Sequence, residues 1–151
     1  MERFKVSIGC DHAGLETAKK LSVWLFDKGC TVHTFFPPDG KSVDYPEYAQ
    51  KTCQSVLLDS HTISRGILVC GTGVGMAMAA NRFPGIRCVN SHDPVIIKLS
   101  REHNDSNVLS LGARFISDEH AWTCVESFLE AHYDGGTRHE NRIMQLFRVA
   151  L

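Results

Sequence analysis

The chain has 151 residues, 43% of them hydrophobic, and its 16 Lys and Arg residues are nearly balanced by 17 Asp and Glu residues. This length suffices for one domain with a buried core, and the near-neutral charge argues against nucleic acid or a membrane surface as the main partner. No apolar run approaches the length that spans a membrane, and no apolar leader precedes a first strand at Phe4, so we expect a cytoplasmic protein.

Short β-rich runs alternate with amphipathic segments along the chain, which predicts a parallel sheet covered by helices on both faces, a three-layer αβα sandwich. In chain order, the expected elements are strand 4–10, helix 14–28, strand 31–35, helix 45–58, strand 65–70, helix 73–82, strand 86–90, helix 94–102, strand 108–111 and helix 117–131. We expect Gly29 to end the first helix and Asp93-Pro94 to begin the fourth. One domain spans 1–151, and within it Gly135-Gly136 sets off a C-terminal helical extension over 136–151, with its helix from Thr137 to about Val149.

The spacing of the six cysteines shows no pattern typical of a metal site or a disulfide framework. None of them stands in a C-x-x-C pair, and several lie in apolar segments. We therefore expect reduced thiols, with Cys70 as the only one in a reactive context.

The segment Cys70-Gly71-Thr72-Gly73-Val74-Gly75 places a thiol at the end of an apolar strand and a glycine-rich turn directly behind it. Backbone amides at such a turn and the dipole of the following helix favour an anion, which could be a phosphate, a carboxylate or an oxyanion formed during a reaction. A helix N-terminus also favours the thiolate of a nearby cysteine, which suits Cys70 as a base or nucleophile. The alternative is a buried cysteine beside a simple connection.

Three common glycine-rich or cysteine loops do not fit this segment. No Gly-Lys-Ser/Thr follows, so it is not a Walker loop, and the G-x-G-x-G spacing differs from the dinucleotide fingerprint G-x-G-x-x-G. A cysteine phosphatase loop would have an arginine where Met76 stands.

Polar residues also follow two other predicted strands. Asp11 and His12 come after the first strand and Arg114 after the fifth, and the carboxyl ends of strands in an open α/β sheet form the ligand crevice, so these loops should converge on Cys70. Taken singly, Asp11 could cap a helix and His12 could be an exposed loop residue.

Two further groups carry potential chemistry near the end of the chain. His103 lies at the end of the fourth helix, where it could merely cap that helix. Arg138 and Arg142 are four residues apart on one helical face, which suits a phosphate grip or an ordinary solvated face. A helix set off by glycines can also reach a neighbouring subunit.

Taken together, these residues resemble the ribose-5-phosphate isomerase type B family, which also contains galactose-6-phosphate isomerase. The likeness covers nearly the whole chain. The motifs that carry it are Gly9-Cys10-Asp11-His12, Asp44-Tyr45-Pro46, Cys70-Gly71-Thr72-Gly73-Val74-Gly75, Ala80-Asn81-Arg82, Pro84-Gly85-Ile86-Arg87, His103-Asn104-Asp105-Ser106-Asn107-Val108, Gly112-Ala113-Arg114 and Arg138-His139-x-x-Arg142.

The resemblance implies a Rossmann-like αβα fold with a five-stranded parallel sheet, and a homodimer or dimer of dimers with active sites shared between subunits. It implies a phosphosugar substrate and neither a metal nor a nucleotide cofactor. The implied reaction interconverts D-ribose 5-phosphate and D-ribulose 5-phosphate through an enediolate, in the non-oxidative pentose phosphate pathway.

The resemblance also assigns roles to residues of this chain. Cys70 would take the proton from carbon two, His103 would open the furanose ring, and Asp11 and Thr72 would assist proton movement. Substrate would be bound by Tyr45 and Asn104 at the sugar, by the turn residues Gly71, Gly73, Val74 and Gly75 at the developing charge, and by His12, Arg114, Arg138 and Arg142 at the phosphate, the last two from the partner chain.

Thr137 stands where the family pattern has an arginine after the glycines, and residues 89–93 are less like the family than their surroundings. The competing hypotheses are a hexose-phosphate isomerase of the galactose-6-phosphate or allose-6-phosphate type, a small cysteine phosphatase and a non-catalytic phosphosugar-binding domain. Met76 disfavours the phosphatase, and the combination of Asp11, Cys70 and His103 favours chemistry over binding alone.

Overall fold

A computed structural model describes residues 4–39, 41–59 and 63–148 of the chain. The described residues form five strands and six helices. In chain order these are β1 (Phe4–Cys10), α1 (Leu15–Asp27), β2 (Thr31–Phe35), α2 (Tyr45–Leu58), β3 (Ile63–Cys70), α3 (Val74–Ala80), β4 (Cys88–Asn90), α4 (Pro94–Asn104), β5 (Val108–Gly112), α5 (Asp118–Glu130) and α6 (Thr137–Leu146).

All five strands are parallel and lie in the order β2-β1-β3-β5-β4, which confirms the predicted α/β sheet. Strand β5 is buried along its whole length, as expected of a parallel strand that helices cover on both faces. Helices α1, α4 and α5 pack on one face around a core that includes Leu21, Ile97 and Phe128. Helices α2 and α3 pack on the other face, around Cys53 and Met76.

The predicted helix boundaries at Gly29 and Asp93 are confirmed. Gly29 follows α1 with a φ of 85°, in the left-handed region that glycine adopts most readily. The Asp93 side chain accepts a hydrogen bond from the Val95 amide, and Pro94 occupies the first turn of α4.

Several predicted boundaries differ from those observed by one or two residues. Strand β3 begins at Ile63 rather than at 65, and β4 is confined to Cys88–Asn90 because the Arg87 amide donates to the Asn107 side chain at 2.8 Å. Helix α4 continues to Asn104 and ends at Asp105, whose φ is 47°. The predicted end of the last helix, at Val149, lies outside the described residues.

The strand order places a crevice between β1 and β3. From β1 the chain passes to β2 on one side and then to β3 on the other side of β1. Ligands of open α/β sheets bind at such reversals, at the carboxyl ends of the strands. No helix among the described residues is long and apolar enough to cross a membrane.

The end of α4 is fixed by a carboxylate between two arginines. Asp105 Oδ1 lies 2.6 Å from Arg101 Nη1, and its Oδ2 lies 2.8 Å from Arg87 Nη2. Arg101 is only 2% exposed, and its guanidinium also donates to the Ser106 carbonyl. Because this charge is buried, its paired carboxylate matters more for stability than a surface partner would.

We predict that Asp105→Asn lowers the free energy of unfolding by about 2 kcal/mol, because the buried Arg101 loses its carboxylate while asparagine still tolerates the left-handed backbone. Asp39→Asn is the matched control, because its carboxylate is 78% exposed beside Lys19 and its loss should cost less than about 0.5 kcal/mol. Urea denaturation at one fixed protein concentration measures both. Equal losses for the two variants would contradict the assignment.

Candidate active site

The loops that follow β1, β3 and β5 lie side by side, as the sequence predicts. Cys10 is in register with Val69, and Cys70 with Gly112. Hydrogen bonds continue beyond the strands, from the Asp11 amide to the Val69 carbonyl (3.2 Å) and from the Ala113 amide to the Cys70 carbonyl (2.8 Å). Asp11, Cys70 and the turn that leads to Arg114 therefore share one edge of the sheet.

Cys70 lies against the first turn of α3. Its Sγ accepts a hydrogen bond from the Gly73 amide at 3.1 Å, and the residue is 5% exposed. Gly73, the residue before the helix, has a φ of 78°, which a glycine adopts without strain. A backbone donor aimed at sulfur stabilises negative charge there, as does the N-terminus of the helix.

The amides of this turn do not all point at one ligand, and the sequence-based expectation for them needs refinement. The Gly73 amide serves the Cys70 sulfur, and the Val74 amide donates to Thr72 Oγ1 at 3.3 Å. The amides of Thr72 and Gly75 meet no acceptor within residues 4–39, 41–59 and 63–148. These two donors, together with the Gly71 amide, which also meets no acceptor among those residues, are left for an oxyanion.

Tyr45 and Arg114 flank the glycine turn. A Cβ on Gly75 would lie 2.8 Å from Tyr45 Cζ, and a Cβ on Gly71 would lie 3.0 Å from Arg114 Nη1. Both side chains thus approach the backbone of the turn so closely that any residue larger than glycine at position 71 or 75 would displace them. The phenol and the guanidinium therefore lie over the loop that holds Cys70.

Asp11 and His12 lie at the same edge, with specific local partners. Asp11 is buried and its Oδ1 accepts hydrogen bonds from the amides of Ala13 (2.9 Å) and Gly14 (3.0 Å), so it caps the turn before α1. His12 is exposed, and its Nδ1 accepts from the Val43 amide at 3.3 Å.

Within one chain, the other predicted site residues lie at the opposite end of the sheet, where the strands begin. Helix α4 starts at the carboxyl end of β4 and runs back, so His103 and Asn104 come to the amino end of β5. Within one chain, His103 therefore lies away from the crevice that holds Cys70. The ring of His103 stacks on that of His139 in α6, with centroids 4.6 Å apart and 6° between the planes.

His103 and Asn104 form a second group of site residues, and helix α6 adds positive charge to it. Arg138 and Arg142 are exposed on α6, near His139. The pKa of His139 is lowered from its ordinary value, chiefly by loss of solvation and then by the positive charges of His103 and the two arginines. The charges suit an anion at this surface.

Carboxylates surround His103 as well. The ligand atoms of Glu102, His103 and Asp134 lie within 4.8 Å of one another. Lys98 Nζ is 3.4 Å from Glu102 Oε1, and this positive charge, with the arginines of α6, opposes a bound cation. The two carboxylates therefore lie close to the imidazole of His103.

A cavity of about 600 Å³ adjoins this second group. It lies between the loop before β4, the end of α4 and the end of α6, and Arg87, Asn104 and Phe147 are among the residues that line it. Cys70 does not line it. The cavity and the thiol thus belong to opposite ends of the chain's sheet.

Two residues that support the turn were missed by the sequence reasoning. Ser110 Oγ donates to the Gly73 carbonyl at 2.6 Å, and His92 Nε2 accepts from the Gly112 amide at 3.0 Å. A serine in the middle of the apolar strand β5 was the available signal for the first. His92 had no comparable signal, because its loop precedes a helix and is polar in any case.

Comparisons with known proteins identify the family of the chain. A model of the ribose/galactose isomerase family matches residues 6–146. The chain belongs to this family. Ribose-5-phosphate isomerase B of Escherichia coli K12 is 40% identical over 139 residues, which cover 92% of this chain and 91% of that protein.

Solved structures of family members have the same fold. A ribose-5-phosphate isomerase B from Thermotoga maritima is 43% identical and superimposes with a TM-score of 0.90, covering 96% of this chain and 98% of that one. The Mycoplasma genitalium ribose-5-phosphate isomerase B, solved with bound ribulose-5-phosphate, is 36% identical with a TM-score of 0.90, covering 98% and 97% of the two chains.

Cys70 differs from the other cysteines in its surroundings. Burial raises the pKa of Cys10 and Cys53 to about 12 each, and that of Cys124 to about 11, which keeps these thiols protonated at neutral pH. Burial also raises the pKa of Cys88 far above its usual range, although this residue is only half-buried.

We predict that a small alkylating reagent at neutral pH modifies Cys70 before Cys88. The Gly73 amide donates to the Cys70 sulfur at the head of α3, a setting typical of reactive thiols, whereas Cys88, the more exposed of the two, stays protonated. Peptide mass spectrometry after brief iodoacetamide treatment measures the order. Modification of Cys88 first would show that exposure alone decides reactivity.

Proposed function

We propose that this chain is an aldose–ketose isomerase that interconverts D-ribose 5-phosphate and D-ribulose 5-phosphate. The observation that carries the proposal is the Cys70 sulfur, held by the Gly73 amide at the head of α3 in a member of the ribose/galactose isomerase family. The relatives named ribose-5-phosphate isomerase B, one of them with bound ribulose-5-phosphate, support the choice of substrate.

In the proposed reaction the Cys70 thiolate removes the proton from carbon two of the open-chain aldose. The electrons of that C–H bond form the double bond between carbons one and two, and the carbonyl oxygen on carbon one takes the negative charge. Transfer of the hydroxyl proton from the oxygen on carbon two to the oxygen on carbon one, and return of the proton from the Cys70 thiol to carbon one, then give the ketose and restore the thiolate. No redox partner or cofactor is needed, because the substrate is oxidised at one carbon and reduced at the next.

The free amides of Thr72 and Gly75 are the proposed donors to the enediolate oxygen. They lie in the turn in which the Gly73 and Val74 amides already hold the sulfur and the Thr72 hydroxyl, so the charge develops beside donors that need not reorganise. One such donor typically contributes about 3 kcal/mol of transition-state stabilisation. Asp11, which holds the neighbouring loop through Oδ1, is the proposed aid to proton movement.

The phosphate and the sugar ring need the second group of residues. We propose that His103 opens the furanose ring and that Asn104 and Tyr45 contact the sugar. His12 and Arg114 would meet the phosphate from the edge that holds Cys70. Because His103 lies at the other edge of its own sheet, it must come from a partner subunit, together with Arg138 and Arg142 of the partner subunit.

Exposed apolar side chains support a homodimer, or a dimer of dimers, with such shared sites. Val74 and Met78 on α3 and Val95 and Ile96 on α4 are each more than 40% exposed, and these two helices flank the short edge strand β4. Surfaces of this kind usually mark protein–protein contacts. Pairing through this region is the proposed route by which two chains complete each site.

We predict that Cys70→Ala abolishes isomerisation, with a loss of at least about 10³-fold in kcat, while the fold and phosphosugar binding persist because the amide turn remains. A coupled assay of ribulose 5-phosphate formation measures the rate, and calorimetry with ribose 5-phosphate measures binding. Cys53→Ala, the same change at a buried cysteine of α2, is the control and should remain active.

The same assay tests the choice of substrate. D-Allose 6-phosphate and D-galactose 6-phosphate should turn over more slowly than ribose 5-phosphate. Substantial activity in a folded Cys70→Ala protein would disprove the role of the thiol, and faster turnover of either hexose phosphate would make this a hexose-phosphate isomerase.

We predict that mixing two inactive variants, Cys70→Ala and His103→Asn, restores activity once subunits exchange. A mixed dimer with shared sites has one site with both changes and one with neither, so about a quarter of all sites become intact after random exchange of equal amounts. Native mass spectrometry follows the exchange, and the isomerase assay follows the activity.

The control for this experiment is the double variant Cys70→Ala/His103→Asn mixed with unmodified chains. Exchange then places one fault in each site of a mixed dimer, so activity should fall to about half of its starting value. A site built within one chain predicts no recovery in the first mixture and no fall in the second.

A further inference from the structure

The imidazole of His92 is a hydrogen-bond acceptor beside the proposed site. His92 follows β4, and its Nε2 lies 3.0 Å from the Gly112 amide, which donates to it. Its own carbonyl accepts from His120 Nε2 at 2.7 Å and from the Cys124 thiol at 3.5 Å, both on α5. The backbone of His92 is thus held by α5, and a ring that accepts at Nε2 carries its N–H on Nδ1.

Gly112 begins the turn that carries Arg114. The two amides after Gly112 tie this turn to the cysteine loop, Ala113 to the Cys70 carbonyl at 2.8 Å and Arg114 to the Gly71 carbonyl at 3.2 Å. A Cβ on Gly112 would lie 2.6 Å from the Thr72 carbonyl oxygen, so the turn and the loop are in direct contact. Any shift of the Gly112 backbone moves the Arg114 side chain relative to Gly71.

We propose that His92 is a positioning residue that holds the Gly112–Arg114 turn, and through it the phosphate-binding guanidinium, against the Cys70 loop. This inference rests on the proposed function, since it concerns the binding of the same phosphosugar. Gly112 is buried, so its amide has no ready access to water when the acceptor is removed, and the turn must shift to satisfy it.

The thiol and its amides are held by other groups. Gly73 donates to the Cys70 sulfur, and Ser110 Oγ grips the Gly73 carbonyl at 2.6 Å from within β5. Asn90 in turn donates to the Ser110 carbonyl at 3.0 Å. Loss of the His92 acceptor should therefore weaken substrate binding and leave the proton-transfer step nearly unchanged.

The test compares His92→Gln with His92→Asn. Glutamine can place its amide oxygen near the position of Nε2, whereas the shorter asparagine reaches only the position of Nδ1. For His92→Asn we expect the KM for ribose 5-phosphate to rise about tenfold, a change of about 1.4 kcal/mol, with kcat within about twofold of the unmodified protein. For His92→Gln we expect a KM near that of the unmodified protein.

A second measurement does not depend on activity. Hydrogen exchange of the Gly112 amide, followed by NMR, should be about tenfold faster in His92→Asn than in the unmodified protein and should stay slow in His92→Gln. The Ala113 amide, which donates to the Cys70 carbonyl, serves as the internal reference.

Three results would overturn the inference: unchanged KM and Gly112 exchange in His92→Asn, equal losses in both variants, or a parallel fall of kcat that marks a general structural defect. If the unmodified protein shows no isomerase activity, the proposed function fails, and the positioning role is then judged by Gly112 exchange and by the affinity for ribose 5-phosphate in calorimetry. Unchanged affinity in His92→Asn would then refute it.

Discussion

The common direction of the five strands decides where each functional side chain lies. Loops that leave the carboxyl ends bring Asp11, Cys70 and Arg114 together, and each helix that joins two strands returns the chain to the amino ends of the strands. The end of α4, with His103, therefore lies away from Cys70 in the same chain. The proposed two-chain site follows from this geometry, since the chain cannot bring both groups together without breaking the β4-α4-β5 unit.

Some backbone amides at the N-terminus of α3 donate hydrogen bonds within the protein, and the others remain available to a substrate. Gly73 and Val74 donate to Cys70 and Thr72, which fixes the thiol and the hydroxyl before any ligand arrives. The remaining donors are then available to an oxyanion. This division requires that the turn be held rigidly, and the buried Ser110 hydroxyl on the Gly73 carbonyl supplies part of that rigidity.

Local patterns in the sequence predicted most of the fold and the convergence of the loops around Cys70. Continuous apolar runs indicated buried parallel strands, Asp93-Pro94 marked the start of α4, and strand ends located the loops around Cys70. Sequence reasoning did not place His103 relative to Cys70, because the end of the sheet that a helix terminus reaches depends on the complete path of the chain. It also missed His92, since a single hydrogen bond to a distant backbone amide leaves no periodic signal.

The distribution of charge explains why the two groups would meet only around an anion. His12 and Arg114 lie near one edge of the sheet, and Arg138, Arg142 and the His103–His139 pair lie near the other. In the proposed shared site Arg114 of one chain faces Arg138 and Arg142 of the other, and like charges repel when nothing separates them. A phosphate between them converts that repulsion into charge-assisted hydrogen bonds from both sides. Substrate binding and subunit pairing would then be linked through the same few guanidinium groups, so that each strengthens the other.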